Sequence, residues 1–434
     1  MKSLAPHSSW HSLALALTLV VCPACRCDRH GTVAASVPIE GGRFAPSQED
    51  PVGFELATTA DAGPTLPPCT LDPPRWLIPP SQSDAAVPLV EVTSWGLIAG
   101  HPHILWLDHH AAALTLWRDT PSVTRFAVDL ESLRTSQLVA AGSTPLVVAV
   151  SEQQGGREQV VLQAQPSSMV ALDRRSATSD DSLAIASCPV QRGALIAWDE
   201  VGANGKGTIV VQRWSAAERP VASAPRVVSA PSHDAADAVL MALPGGGALV
   251  AYLALSEVAV ETANQSAADI VLRALDDQGQ PQGEPITITP APRTRFAVAL
   301  AAQGSYRWVA WRMGLDSDHE GRGDGGQIAA VALGPDLRPV HSPEYLSAVG
   351  GVTSGSIAIL AAESHADVYW TERRADELVT LRRPMSARGT VETPLRDEPA
   401  LRGALPIWGA AGTPTILLRG PHGEPGLSVA HCPL

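Results

Sequence analysis

A repeat that recurs seven times constrains this chain more than any other feature. Each copy has an apolar run ending in small residues, a short turn, and a second apolar run. The copies read GLIAGHPHILWL, LVAAGSTPLVVAV, AIASCPVQRGALIAW, VLMALPGGGALVAY, FAVALAAQGSYRWVAW, IAILAAESHADVYW and IWGAAGTPTILL. Runs of this length, bounded by Gly, Pro, Asp and Ser, are typical of strands joined by tight turns.

Each unit also has a second half with two more strand-like runs, as in DIVLRALDDQGQPQGEPITIT and ELVTLRRPMSARGTVETPLR. Four strands recurring every 40 to 60 residues or so indicate a β-propeller, with the longer units carrying insertions. We therefore predict an all-β, seven-bladed propeller of four-stranded blades over residues 71–434. Within each blade we label the strands A to D, from the central channel outwards.

The residue types fit this radial order. Small residues end the A strands, which converge on the channel, and Trp or Tyr end several B strands. We interpret these aromatic residues as packing between blades rather than as ligand platforms.

The seventh unit has no fourth strand, and the segment Arg75-Trp76-Leu77-Ile78-Pro79 resembles the missing one. We predict that it completes the last blade and closes the ring. Cys69 precedes this segment and Cys432 ends the last strand, so a Cys69–Cys432 disulfide is expected in an exported protein. For Cys188 we expect a buried thiol or a partner of Cys27.

The N-terminus is typical of an export signal. Lys2 precedes a short apolar core at Leu13–Val21, and small residues follow, so residues 1–25 are predicted to be a signal peptide. Cys22 and Cys25 each partly match the motif at which bacterial lipoproteins receive a lipid. We favour lipid attachment, with free secretion as the alternative. Residues 26–70 are rich in Pro, Gly and Ala, as in a flexible tether.

The charge pattern argues against nucleic acid as a partner. The net charge is −13, and basic residues do not cluster with aromatic ones. Mature propellers commonly bind ligands where the B–C and D–A connections surround the channel. Here the longest B–C connections are residues 256–268 and 314–326.

Three groups of residues are candidates for chemistry. The segment 314–326 offers oxygen ligands for Ca²⁺, although a solvated acidic turn is the favoured interpretation; the residues are Asp316, Asp318, Glu320 and Asp324. Asp199 and Glu200, at the third B–C connection, could supply acid–base chemistry. Two histidine pairs flank strand B of the first unit and are too far apart for one zinc site; they are His101 with His103 and His109 with His110.

The units resemble the propellers of exported bacterial proteins with sialidase-like or kelch-like architecture. The resemblance covers about residues 70–434 and does not reach a specific family, because no Ser-x-Asp-x-Gly-x-Thr-Trp box or WD40 spacing recurs. We expect an envelope-anchored module that binds a protein or a glycan through its loops and needs no cofactor. The alternative is a glycan-active hydrolase that uses carboxylates at the channel mouth.

Overall fold

The computed structural model describes most of the region predicted to form the propeller. The described residues are 68–77, 90–99, 101–118, 123–153, 156–165, 168–177, 185–202, 205–255, 268–288, 295–313, 327–347, 352–374, 377–390, 396–399, 401, 406–408, 414–419 and 425–431. They form strands and turns, with no helix among them, so no described segment is a helix long and apolar enough to cross a membrane.

The strands form seven antiparallel sheets that follow one another along the chain as the blades of a ring. Blade 1 contains β3 (Val90–Ile98), β4 (His101–Asp108), β5 (Ala113–Arg118) and β6 (Val123–Ala127). Blade 2 contains β7 (Leu133–Ala141), β8 (Thr144–Gln153), β9 (Gly156–Ala164) and β10 (Met169–Ala177). Blade 3 contains β11 (Ile185–Val190), β12 (Gly193–Val201), β13 (Gly207–Ser215) and β14 (Arg226–Val227). Blade 4 contains β15 (Asp234–Ala242), β16 (Ala248–Leu255), β17 (Ala268–Leu275) and β18 (Pro281–Ile288).

The remaining blades follow the same order from the channel outwards. Blade 5 contains β19 (Arg295–Gln303), β20 (Tyr306–Met313), β21 (Gln327–Leu333) and β22 (Glu344–Tyr345). Blade 6 contains β23 (Val352–Ala361), β24 (His365–Arg374), β25 (Glu377–Ser386), β26 (Gly389–Thr390) and β27 (Arg396–Asp397). Blade 7 contains β28 (Pro406–Trp408), β29 (Pro414–Arg419) and β30 (Pro425–His431), together with β1 (Thr70–Leu71) and β2 (Arg75–Trp76). The structure therefore confirms the predicted seven-bladed propeller.

Seven apolar clusters hold the ring together, one at each interface between neighbouring blades. They arise because side chains alternate across a sheet. On β4, Leu105 and Leu107 pack against blade 2, whereas Ile104 and Trp106 belong to the cluster that contains Leu427 of blade 7. A strand between two neighbours is buried on both faces, which explains the continuous apolar runs in the sequence.

The aromatic residues of the B strands lie inside these interfaces, as predicted. Tyr252, Trp311 and Trp370 have no measurable exposure, and Trp106 and Trp198 are almost completely buried.

The N-terminal segment closes the ring, as predicted, by pairing with the outer edge of β30. It does so with two short strands rather than one: Thr70 lies opposite His431, and Arg75 lies opposite Leu427. If the first register continued by one residue, positions 69 and 432 would be opposite each other. Cys432 lies outside the described residues, so the disulfide stays a prediction.

Candidate functional site

The two faces of the ring carry connections of different length. At one face, here the loop face, the A strands begin and the B strands end. The three longest connections between successive strands all join strand ends at this face; they are residues 77–89, 256–267 and 314–326. At the opposite face, the turn face, strands A and B are joined by connections as short as residues 142–143 and 191–192. Loops on a rigid scaffold are where binding residues concentrate, so the loop face is the candidate functional surface.

The innermost strands have a β-bulge next to this loop face in five of the seven blades. The register breaks within the first few residues of β3, β7, β15, β19 and β23. In four of these blades the break lies beside a buried aromatic residue of strand B: Trp106, Tyr252, Trp311 or Trp370. A bulge bends its strand and redirects a side chain, and such features recur at barrel rims and active sites.

Hydroxyl groups at the bulges connect the inner strands of blades 1 and 2. Ser136 Oγ donates to Thr93 Oγ1 (2.8 Å), and Thr93 Oγ1 donates to the carbonyl of Leu105 (3.3 Å). The backbone N–H of Leu138 donates to Ser94 Oγ (3.1 Å). The polar side chains at these two bulges therefore bond to one another and to neighbouring backbone groups.

Asp237 differs from these residues because its side chain has no partner among the described residues. It lies in the bulge of β15 between the pairs Ala236–Leu253 and Val239–Ala251, with φ of 54°. Its carboxylate is half-buried and makes no hydrogen bond or ion pair among the described residues. Burial raises the pKa of this carboxyl above its ordinary value.

Asp234, on the same strand, has a structural role. Its Oδ1 accepts a hydrogen bond from the backbone N–H of Gly207 (2.6 Å), which ties blade 4 to blade 3. Nearby, the Tyr252 hydroxyl accepts from the N–H of Ala230 (3.4 Å), and its ring centroid lies 6.4 Å from that of His233. Asp237 thus has no hydrogen-bond or ion-pair partner among the described residues, whereas Asp234 and Tyr252 of the same blade each accept a hydrogen bond.

Asp237 was not predicted as a site residue. The available signal was an acidic residue inside an Ala-rich inner strand, DAADAVLMA. The register shift that distinguishes Asp237 from Asp234 depends on pairing with β16, which has no sequence motif.

Asp199 and Glu200 are brought to the loop face at the end of β12. Glu200 Oε1 accepts a hydrogen bond from Trp198 Nε1 (2.7 Å), and Asp199 is 7% exposed. The same contact recurs in blade 6, where Trp370 Nε1 donates to Glu372 Oε1 (2.9 Å). Recurrence in a second blade indicates that this carboxylate fixes the indole, so the structure gives Glu200 a structural role.

The other candidates are only partly described. The calcium candidates Asp316, Asp318, Glu320 and Asp324 lie outside the described residues, as do Cys22 and Cys25. Among the residues that are described, no group of three or more His, Cys, Asp or Glu side chains could hold a metal ion. His101 and His103 lie within the first residues of β4, and His109 and His110 follow its last residue, Asp108. His103 Nδ1 lies 2.9 Å from the carbonyl oxygen of His101.

Cys188, on β11, is a buried free thiol. Burial raises its pKa to about 12, so the thiolate that a nucleophile requires is strongly disfavoured.

No protein-family model matches the sequence, and neither does any curated protein. Among solved structures, the chain is similar to an ulvan lyase of polysaccharide lyase family PL25, with 10% identity over 79% of this chain and 92% of that chain and a TM-score of 0.50. It is also similar to the WD40 domain of SCAP from fission yeast (8% identity, 80% and 88% covered, TM-score 0.43). A third similar structure is a subtype N10 neuraminidase-like protein of A/little yellow-shouldered bat/Guatemala/060/2010 (9% identity, 72% and 98% covered, TM-score 0.39). At these identities the similarity defines the class of fold, a β-propeller with sialidase-like neighbours, and no family within it.

Proposed function

We propose that this protein is an exported, envelope-anchored binding module that recognises a protein or a glycan through the loop face of its propeller. The observation that carries the proposal is the asymmetry of the ring. The three longest connections, of 12 to 13 residues, and the inner-strand bulges of the described residues lie at the same face, whereas the longest connections at the turn face, residues 216–225 and 334–343, have ten residues. Because fold does not define function, the proposal depends on this surface and not on the neighbouring structures.

Export and anchoring are proposed from the sequence. The apolar core at Leu13–Val21 follows Lys2, and the cysteines that follow it offer two positions for a lipid, Cys22 and Cys25. Residues 26–70 have the composition of a tether that would hold the propeller away from a membrane.

Binding is favoured over hydrolysis because the carboxylates of Asp199 and Glu200 lie on opposite faces of a strand. Glycoside hydrolysis generally requires two carboxyl groups, one on each side of the scissile bond. Asp199 and Glu200 are consecutive residues of β12, so their side chains point in opposite directions, with Asp199 buried and Glu200 exposed. Glu200 Oε1 also accepts a hydrogen bond from Trp198 Nε1.

The test of the binding surface uses residues 26–434 on a glycan array and on an array of purified envelope proteins. In one variant, residues 314–326 are replaced by a short Gly-Ser linker. The control is Arg388→Glu, an exposed position on the turn face. We expect the linker variant to lose binding and the control to retain it. Equal loss in both variants, or turnover of a bound glycan that Asp199→Ala abolishes, would contradict the proposal.

The test of anchoring is metabolic labelling with a fatty acid in a bacterial host. We expect label on the protein, lost in Cys22→Ser or in Cys25→Ser, and unchanged in the matched control Cys27→Ser. A mature protein found unlabelled in the medium would show free secretion instead.

A further inference from the structure

We propose that Asp237 is a ligand-binding residue of the channel mouth and that it pairs with a lysine or arginine side chain of a protein partner. This inference rests on the proposed binding function and adds a contact residue and a ligand chemistry. Asp237 lies on the innermost strand of blade 4, at the loop-face end where the bulges are found.

The backbone at Asp237 is unfavourable for the fold. Four non-glycine residues among those described have a left-handed backbone, and three of them, Ala99, Ala112 and Leu337, lie in turns. Asp237 is the one inside a strand. Such a conformation costs about 1–3 kcal/mol and, where packing does not compensate for it, is typical of functional sites.

The side chain adds a second cost, because its half-buried carboxylate has lost part of its hydration and has no hydrogen-bond or ion-pair partner among the described residues. Two other carboxylates of the ring have such partners: Asp367 lies 2.7 Å from Arg382 Nη2, and Asp234 accepts from the N–H of Gly207. The role of the Asp237 side chain is therefore assigned to a contact outside the fold.

A cation is the ligand group that would compensate this carboxylate most directly, since an opposite charge within about 4–6 Å stabilises the ionised form. The net charge of −13 favours the approach of a basic partner. A protein is favoured over a glycan because the B-strand aromatic residues, which could have stacked on sugar rings, are buried in the blade interfaces.

The first experiment asks whether the fold uses Asp237. Asp237→Asn removes the charge, and Asp237→Gly also removes the backbone strain. We expect both variants to unfold a few degrees above the wild type, with the glycine variant higher. Ala112→Gly is the matched control, because Ala112 is exposed on a loop-face connection with φ of 44°. A lower midpoint for Asp237→Asn would show a structural role and overturn the inference.

The second experiment probes the ligand with hexapeptide libraries that carry a fixed lysine, a fixed arginine or a fixed norleucine. We expect the wild type to retain lysine or arginine peptides, Asp237→Asn to bind them at least tenfold more weakly, and the turn-face control Arg388→Glu to bind as the wild type. Equal retention of norleucine peptides, unchanged binding by Asp237→Asn, or no peptide binding at all would overturn the inference. Binding of a chitosan tetramer alone would overturn the protein partner in favour of an amino sugar.

The two proposals fail in different ways. If Asp237→Asn binds normally while replacement of residues 314–326 abolishes binding, the loop face is the binding surface and Asp237 is not part of it. If neither change affects binding, the loop face itself is wrong.

Discussion

The turns between strands C and D place two different residues in the same left-handed backbone conformation. In blade 4 the residue is Gly279 (φ 73°), whose N–H donates to the Asp276 carbonyl (2.9 Å). In blade 5 it is Leu337 (φ 62°), whose N–H donates to the Gly334 carbonyl (3.0 Å). Leu337 accepts the strain because its side chain is buried between blades 4 and 5.

The combination of a strained backbone and a buried side chain at Leu337 predicts an order of stability for substitutions there. Leu337→Ala should lower the free energy of unfolding by about 2–4 kcal/mol, because the cavity is created and the strain remains. Leu337→Gly removes the same side chain but relieves the backbone, so it should cost about 1 kcal/mol less. Urea unfolding measures both. A larger loss for the glycine variant would show that the backbone is unstrained.

The Trp–Glu contacts at the ends of β12 and β24 predict a second order of stability. Removing the carboxylate acceptor leaves an indole N–H without a hydrogen bond, which lowers the free energy of unfolding by about 1–3 kcal/mol when the contact is buried. Glu372 is 6% exposed and Glu200 is exposed, so Glu372→Ala should destabilise more than Glu200→Ala. Glutamine at either position keeps an acceptor and serves as the control in thermal unfolding. Equal effects of alanine at both positions would contradict this explanation.

At the scale of elements, every blade except the last has a connection from strand C to strand D at the turn face. In blade 7 the corresponding ends are the two ends of the propeller chain, because β30 pairs with the N-terminal β1. The predicted Cys69–Cys432 disulfide would take the place of the missing connection.

The disulfide is expected to restrict the unfolded chain over almost the whole propeller, which corresponds to about 6 kcal/mol in the chain-entropy model. Cys69→Ser or Cys432→Ser should therefore lower the thermal midpoint, as should reduction of the wild type. Peptide mapping under non-reducing conditions identifies the linked pair. Cys188→Ser is the control for thiol chemistry, since that buried thiol should not change under reduction. Separate Cys69 and Cys432 peptides in the oxidised protein would exclude the bond.

The sequence was sufficient to predict the strands and blades, but not the β-bulges and side-chain hydrogen bonds within them. Seven repeated strings predicted the blades, and Arg75-Trp76 was recognised as an outer strand because it resembles the D strands of other units. The bulge at Asp237 escaped prediction, because a shifted register changes pairing without changing composition. The bond between Trp198 and Glu200 also escaped, since a carboxylate beside a channel fits catalysis and packing equally well.

At the scale of the whole molecule, a buried ionic cluster lies at the interface between blade 6 and the N-terminal segment that closes the ring. Arg382 Nη2 lies 2.7 Å from Asp367 Oδ2, and its Nη1 lies 3.7 Å from Glu398 Oε1. Glu398 Oε2 in turn accepts a hydrogen bond from the N–H of Cys69 (2.7 Å). All three side chains are at least 96% buried. The cluster links blade 6 to the first residues of the N-terminal strand.

Closure of the ring should therefore depend on residues 68–77 and not on the residues before them. This segment contributes Leu71 and Leu77 to the interfaces on either side of blade 7, and Arg75 lies 5.5 Å from the ring centroid of Trp117 in blade 1. In a Cys69→Ser, Cys432→Ser background, removal of residues 1–67 should leave the free energy of unfolding unchanged.

Removal of residues 1–77 in the same background should lower the free energy of unfolding by about 3–6 kcal/mol, because the apolar contacts of two leucines and a tryptophan are lost. It would also strip the outer edge of β30, and an unpaired edge promotes association between chains. Calorimetry measures the loss of stability and light scattering measures association, each compared between the truncations of residues 1–67 and 1–77. If both truncations unfolded alike and remained monomeric, the three C-terminal strands would hold blade 7 unaided, and the N-terminal strands would be an attachment rather than the closure.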